Sequence, residues 1–440
     1  MPKILFIQPT QYGFGGKLCK QKRIYLPGLV FPLLAAMTPS NWEVEVLLEV
    51  VDDVDFESDA HIVGIGTMGY AMWRGVEIAD EFRRRGKLVV FGGYMASLVL
   101  QDALDHADAV IVGDAEISYP RLLQDYESTG KLQRVYDNPV TDLSGLPVPR
   151  YDLLTAKPIG NMLPVQAGRG CPFSCSFCSI ACLYRGRYIS RPVPEIIRDI
   201  KAIRDFGYKR FYLIDDNLVS NEIFLRELAL AIAPLGMKWS TQCALMVGDK
   251  PELLALLKRS GAEMMSFGIE SITQAGLDKL NKSWLRVSEH ERLIASIGKA
   301  GILVSSEMII GTDSDTESSI RATYDFIRKT RIPIPRFYIL TPIPGSELYE
   351  EYRLAGRLVT TEWRRFDVGT CVVEPVGMSA ERLTELFWWL YNKVMSLPCI
   401  LRRTLFHPEA WKAPRAYLFA LYVNLHYRRY LKKRVLPNIL

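Results

Sequence analysis

Short apolar runs recur through the first third of the chain, at 3–8, 43–49, 61–66, 88–92 and 109–112, each closing on or followed by Gly or a polar residue. Stretches with helical periodicity separate them, such as 73–85, where Val76, Ile78, Ala79 and Phe82 share a face. Runs that are apolar throughout fit strands buried on both faces, and strands alternating with helices predict a parallel, doubly wound sheet. Such sheets bind ligands beyond the carboxyl ends of their strands. The loops expected there, 9–14, 67–70, 92–97 and 113–118, are rich in Gly and small polar residues. Glycine lets a backbone approach a ligand closely, although tight strand-to-helix turns would use the same residues. No GxGxxG fingerprint occurs among them.

The alternation resumes further on. Strands are predicted at 163–166, 210–214, 238–242, 264–268, 304–310 and 336–340, with helices at 194–206, 223–233, 251–260, 289–300 and 318–330. A repeat of about 30 residues is the length of a βα unit. Six units predict a partial (β/α)6 barrel of the TIM type, with its site at the carboxyl ends of the strands. The Pro-rich stretch 143–150 reads as a linker. The expected organisation is a Rossmann-like domain over 1–145, a linker over 146–160, the partial barrel over 161–350 and a mainly helical region over 351–440.

Composition adds bounds. The 440 residues are 49% hydrophobic and 23% charged, as in a globular protein. No apolar run reaches the roughly 20 residues of a membrane-crossing helix. A net charge of +5 is too small to argue for nucleic acid. From Arg402 onward, nine Lys or Arg residues face one acid, Glu409, and the aromatic segments 386–391 and 416–423 lie in the same region. Two readings follow: a helical cap over the barrel's open side, or a surface that rests on a membrane or holds a lipophilic substrate.

The chemistry-bearing pattern is Arg169-Gly-Cys-Pro-Phe-Ser-Cys-Ser-Phe-Cys-Ser179, a CxxxCxxC triplet of Cys171, Cys175 and Cys178. Three thiolates on one loop can hold three corners of a cubane iron–sulfur cluster and leave the fourth iron open to a ligand. Structural zinc wants four ligands, usually as two separated pairs, and the second pair is missing even if Cys182 is recruited. A disulfide framework belongs to small secreted chains, and Met1-Pro-Lys leads straight into a strand without a secretory pattern. A reducing, cytoplasmic setting is expected. Cys19, Cys182, Cys243, Cys371 and Cys399 are scattered and receive no role.

The triplet, the aromatic Phe177 and the βα repeat together resemble the radical S-adenosylmethionine (SAM) superfamily. The closest likeness is to the subfamily with an N-terminal cobalamin-binding domain, which includes anaerobic magnesium-protoporphyrin monomethyl ester cyclase and hopanoid-modifying enzymes. Phe91-Gly-Gly-Tyr-Met-Ala and Val112-Gly-Asp-Ala-Glu116 resemble loops of that first domain, and Leu146-Pro-Val-Pro-Arg resembles its exit. Asp215-Asp-Asn217, Phe267-Gly-Ile-Glu-Ser271, Ile309-Ile-Gly-Thr-Asp313 and Leu340-Thr-Pro-Ile-Pro-Gly-Ser346 resemble its later strand ends. The resemblance implies a [4Fe–4S] cluster on Cys171, Cys175 and Cys178. It implies SAM contacts at Phe177, Asp216, Gln242, Glu270, Ser271, Gly311 and Asp313. Cobalamin contacts would fall at Gln8, Thr10, Thr67, Met68, Gly69, Tyr70, Gly92, Gly93, Tyr94, Gly113, Asp114 and Glu116. Ser271 could instead cap a helix, and Asp313 or Asp315 a strand-to-helix turn. Arg187 and Arg191 could meet a carboxylate or form a solvated loop. No DxHxxG sequence offers cobalt a histidine, Tyr94 replaces the usual His, and Asp114-Ala115 replaces Glu-Gly.

The implied activity is C-methylation at an unactivated carbon through a 5′-deoxyadenosyl radical and methylcobalamin. The alternative is radical oxidative cyclisation or rearrangement of a tetrapyrrole or lipid, with cobalamin in another role or absent. RNA methylthiolation is set aside, because only Cys19 lies upstream of the triplet. A sensor module is disfavoured by the open cluster corner. The expected partners are a small lipophilic or tetrapyrrole substrate and an electron donor of the flavodoxin or ferredoxin type, with no nucleic acid. Peripheral membrane contact through the C-terminal region is a further expectation. The catalytic acid or base is unassigned.

Overall fold

A computed structural model describes residues 1–13 and 17–436, apart from the side chains of Tyr70 and Trp363. Two six-stranded parallel sheets organise it. The first contains β1 (Lys3–Gln8), β2 (Glu43–Leu48), β3 (Ile62–Gly66), β4 (Leu88–Gly92), β5 (Ala109–Val112) and β6 (Val135–Asp137). Their order is β2-β1-β3-β4-β5-β6, a doubly wound sheet whose order reverses between β1 and β3. Gln8 and Thr67 stand at that switch point. Ile4, Phe6, Ile62, Val63, Val89 and Val110 are buried on the sheet's two faces, as continuous apolar runs require. The sixth strand is an addition to the predicted five.

The second sheet has six strands that neighbour one another in chain order, from the first at one edge to the last at the other. These are β7 (Leu163–Gln166), β10 (Arg210–Ile214), β11 (Lys238–Gln242), β12 (Ala262–Glu270), β13 (Leu303–Ile310) and β14 (Ile334–Ile339). Helices join successive strands, and all pairings are parallel. No bonds join β14 to β7, so the barrel is open, as predicted. Its helices start and end within about two residues of the predicted bounds, the usual scatter of helix ends. Val193–Asp205, for example, buries Ile196, Ile200 and Ile203, an i, i+4, i+7 stripe facing the sheet. A short antiparallel hairpin, β8 (Gly168–Gly170) with β9 (Tyr188–Ser190), was not foreseen and flanks the cysteine loop.

The last helices seal the barrel's exposed edge. On Ala380–Val394, the buried Tyr391 hydroxyl accepts from the Phe337 N–H at 2.9 Å and donates to the Phe337 carbonyl at 3.0 Å. That satisfies backbone groups which edge strand β14 would otherwise leave unpaired. Arg403, fully buried on Leu397–Arg403, donates to the Pro333 carbonyl at 3.1 Å and to Asn424 Oδ1 at 3.0 Å. Asn424 belongs to the helix Pro414–Leu431, so both helices are tied to the entry of β14. These contacts show a cap on the helices' inner face.

Candidate active site

The cysteine loop leaves the barrel directly after β7 and β8, at the carboxyl ends of the strands. Gly170 makes the turn with φ +83, and a Cβ there would stand 2.1 Å from the Arg187 carbonyl, so only glycine fits. A clamp from the segment after β12 holds the loop. Phe173 stacks on Trp284 with ring centroids 3.9 Å apart. Asn281 Nδ2 donates to the Ser174 carbonyl at 2.7 Å, and the Ser176 N–H donates to the Leu280 carbonyl at 3.2 Å. On the other side Asn217 Nδ2 lies 3.6 Å from Cys171 Sγ.

Cys171, Cys175 and Cys178 are half-buried and free of disulfides. Burial pushes the Cys175 thiol up to about 12 and the Cys178 thiol to about 11, and Cys171 is raised for the same reason. The protein alone therefore does not make them thiolates; a bound metal centre would, by displacing the protons. Among the described residues, no three His, Cys, Asp or Glu side chains converge on a point that could hold a single ion. In a cluster each thiolate takes a different iron, so the three thiols need not meet at one point. The donor set therefore fits the group the spacing implies.

Two cavities meet this loop. The larger, 1380 Å³, lies between the two sheets. Its walls include Gln8, Thr67, Met68, Gly92, Gly93, Tyr94, Gly113, Asp114 and Glu116 from the first sheet's carboxyl edge, and Cys175 and Asp216 from the barrel. Gly93, at φ +96, brings its backbone so near Thr67 that a Cβ would lie 2.6 Å from the Thr67 carbonyl. Gly69 lines the second cavity instead. Thr10 lines neither: its N–H donates to Glu49 Oε2 at 3.0 Å and its hydroxyl to the Cys19 carbonyl at 2.7 Å, which turns it into the loop's own packing. Tyr70 is backbone of the turn Gly69–Ala71, and its side chain lies outside the described residues.

The second cavity, 350 Å³, is lined by Phe177, Glu270, Glu307, Tyr338 and Phe366 among others. Glu270 ends β12 after a register shift in its pairing with β13 and carries φ +60. A bulge of this kind re-aims the side chain at a strand end, and the left-handed backbone is strain of the sort that gathers at functional sites. Lys282 Nζ is 2.8 Å from Glu270 Oε1 and 2.8 Å from the Gly268 carbonyl. Asp216 accepts from the Gly170 N–H at 2.6 Å, and burial raises its carboxyl to about 6. Asp215 is raised by burial to about 7 and accepts from the Tyr188 hydroxyl at 2.8 Å.

The other residues expected to contact SAM line neither cavity. Gln242, last in β11, points to solvent and lines neither cavity. Ser271 accepts from the Thr273 N–H at 3.1 Å, and Thr273, not Ser271, is the N-cap of the next helix, so Ser271 is not the cap that the alternative reading made it. Gly311 donates its N–H to Asp315 at 2.9 Å. Asp313 is taken up by Arg357, at 2.7 and 3.1 Å, and by Lys279 at 3.4 Å. Arg191 is not a solvated loop residue: it is buried against Asp199 at 2.8 Å. Arg187 is exposed. The sequence reading missed the polar cluster inside the barrel. Ser266 donates to Glu307 Oε1 at 2.9 Å, Arg336 donates to Ser266 at 3.1 Å, and Arg336 pairs with Glu307. Polar residues breaking the apolar runs of β13 and β14 were the available signal.

With this geometry in place, the comparisons with known proteins converge. The sequence profile of the Radical SAM superfamily matches residues 165–327. Bacteriochlorophyllide d C-12(1)-methyltransferase of Chlorobaculum tepidum is 30% identical over 390 residues, covering 86% of this chain and 85% of the relative. Bacteriochlorophyllide d C-8(2)-methyltransferase of the same organism is 28% identical over 400 residues, covering 86% and 87%. Among solved structures, the cobalamin-dependent S-adenosylmethionine radical enzyme OxsB, with aqua-cobalamin and S-adenosylmethionine bound, superposes with a TM-score of 0.71. That match has 13% identity and covers 97% of this chain and 72% of OxsB. The chain belongs to the radical SAM superfamily. It is an enzyme of that class, whose cofactors are SAM and a [4Fe–4S] cluster.

Proposed function

We propose that the protein is a cobalamin-dependent radical SAM C-methyltransferase acting at an unactivated carbon of a lipophilic, tetrapyrrole-class substrate. The observation that carries this is the 1380 Å³ cavity, in which Cys175 and Asp216 face the Gly92-Gly93 and Asp114–Glu116 loops of the doubly wound sheet. A cavity of that size, outside the carboxyl ends at a switch point, suits a large planar cofactor. The two methyltransferase relatives support the group transferred and the substrate class.

When bound, the cluster, SAM and methylcobalamin would supply the radical and the methyl group. The chain's own residues position and exclude water. Cys171, Cys175 and Cys178 would hold the cluster, clamped by Phe173–Trp284 stacking. Phe177 and Glu270, on the smaller cavity, would approach SAM. Glu270, held by Lys282, offers a carboxylate oxygen that can accept from an ammonium or hydroxyl. Asp216 stands on the larger cavity next to the cysteine loop. Gln8, Thr67, Met68, Tyr94 and the Gly-rich loops would line the corrin. Glu307, held by Arg336 behind it, offers the substrate's polar groups an acceptor on the smaller cavity. A small-molecule substrate, an external electron donor of the flavodoxin or ferredoxin type and peripheral membrane contact through the C-terminal region complete the reading.

Anaerobic reconstitution with iron, sulfide, methylcobalamin, SAM and reductant tests it. The expected products with bacteriochlorophyllide d are 5′-deoxyadenosine, S-adenosylhomocysteine and a methylated chlorin. Joint Cys171, Cys175 and Cys178→Ala substitution should abolish cluster absorbance and SAM cleavage. 5′-Deoxyadenosine formed with an oxidised but unmethylated product would replace this reading with oxidative cyclisation or rearrangement. No 5′-deoxyadenosine under any cobalamin condition would overturn both.

A further inference from the structure

The helix Pro414–Leu431 carries apolar residues on both faces, but the protein buries only one; on the other, Tyr25 touches Tyr422 and His426. Tyr417, Ala420, Val423, Tyr427 and Leu431 are buried against the barrel edge. Leu418, Phe419, Tyr422 and Leu425 are 54%, 42%, 52% and 42% exposed. At helical spacing these four share one arc with Arg415 and Arg429, one cation toward each end. A helix apolar all round normally has both faces covered. The turn before this one adds Phe406, 69% exposed, and Trp411, 76% exposed. Isolated exposed apolar residues are ordinary, but a contiguous stripe marks an interaction surface.

The charges around the stripe indicate what covers it. Arg415, Arg429, Lys432 and Lys433 make no ion pair with a carboxylate among the described residues. The only acid of the segment, Glu409, is already held by Lys412 at 2.6 Å. The Tyr422 hydroxyl meets that of Tyr25 at 2.7 Å, which brings the exposed Lys22 and Arg23 of the first domain to the same edge. A second copy of the chain would set these unpaired cations against their own kind. No described helix is long and apolar enough to cross a membrane. We propose that this face of Pro414–Leu431 rests on a membrane surface bearing anionic lipid headgroups, with Leu418, Phe419 and Leu425 in the acyl boundary and the flanking cations at the headgroups. The inference rests on the peripheral-contact reading above and is independent of the chemistry. It would bring the enzyme to a phase in which a lipophilic substrate is concentrated.

Vesicle flotation of the full chain tests it, comparing phosphatidylcholine alone with phosphatidylcholine containing about 30% phosphatidylglycerol. Binding to the anionic vesicles should be about tenfold tighter or more, and should fall as salt rises. The double variant Phe419→Glu with Leu425→Glu should lose flotation on both. Arg415→Glu with Arg429→Glu should lose the preference for anionic lipid. None of these residues lines either cavity, so reconstituted variants should still cleave SAM to 5′-deoxyadenosine. Flotation can therefore fail while the chemistry succeeds, and the reverse. Equal binding to neutral and anionic vesicles, or none, overturns the proposal. So does light scattering that shows a dimer which the Phe419→Glu and Leu425→Glu variant converts to monomer, since that makes a second copy the occupant.

Discussion

Arg169, two residues before the first cysteine of the cluster loop, reaches across the gap between the sheets to Glu116, with Nη1 2.9 Å from Oε2. The same nitrogen lies 2.7 Å from Asp114 Oδ1, and the Arg169 and Glu116 side chains are only 14% and 8% exposed. Burial pushes the Glu116 carboxyl up, but the guanidinium outweighs it and holds the group below its ordinary value. Two loops that the sequence suggested as cofactor contacts therefore also fix how the barrel and the first sheet face one another. Removing one partner of a buried pair leaves the other uncompensated, which costs about 3–5 kcal/mol. Arg169→Met should lose stability of that order in urea unfolding. Arg169→Lys, which keeps the charge but not the fork, should lose less. Adding Glu116→Gln to Arg169→Met should restore part of the loss.

A second buried pair, Glu270 with Lys282, sits on the smaller cavity, and both side chains are under a tenth exposed. Lys282 also lies 5.3 Å from the Trp284 ring centroid, the ring that clamps Phe173. Lys282→Met should thus act on two readouts. Stability should fall by about 3 kcal/mol, as for any buried carboxylate left unpaired. SAM affinity of the reconstituted enzyme, read by equilibrium dialysis, should also fall, because the carboxylate would turn toward water. Unchanged SAM affinity would remove Glu270 from the SAM site.

The strands and the triplet were legible because their signals are local. A buried strand is a continuous apolar run, and CxxxCxxC needs no tertiary partner to be recognised. The hairpin around the cysteine loop was not legible, since Gly168-Arg-Gly170 has no strand propensity and pairs only because Gly fits under Arg187. The Glu307–Arg336 pair depends on β13 and β14 lying side by side in register, which no single strand reveals. Gln242 and Asp313 were placed near strand ends correctly, but that position does not say where a side chain turns. Gln242 is exposed and lines neither cavity, and Asp313 pairs with Arg357, a residue 44 positions away.

Asp215 carries a pH dependence of its own. Burial raises its carboxyl from 3.8 to about 7. Between those values the folded chain holds a proton that the unfolded chain has released, so stability falls as pH rises through the window. The penalty is complete above about pH 7 and vanishes as pH falls toward 3.8. Asp215→Asn removes the charge while keeping an oxygen for the Asn217 N–H. Relative to the parent, it should gain about 2–4 kcal/mol at pH 8 and almost nothing near pH 4, by urea unfolding at each pH. A constant difference across that range would mean the carboxyl titrates normally.

His290 has the opposite sign. It opens the helix His290–Lys299 and is fully buried, edge-on to Phe326 with centroids 6.2 Å apart. Neither ring nitrogen has a hydrogen-bond partner among the described residues. Burial, with Lys282 adding to it, lowers its pKa from 6.5 to about 4. In that window the unfolded chain binds a proton that the folded chain refuses, so stability falls as pH drops below 6.5. By pH 5 the loss from this one group should be about 2 kcal/mol. An unpartnered buried polar group is also a cost at neutral pH, about 1 kcal/mol or more. His290→Phe keeps the edge contact and removes both penalties, so it should be neutral or stabilising at pH 7 and clearly stabilising at pH 5. Comparing the variant with its parent at each pH isolates this group from Asp215, whose contribution is common to both. If His290→Phe instead destabilises equally at both pH values, the imidazole is partnered in solution and the cavity around it is too tight for the larger ring.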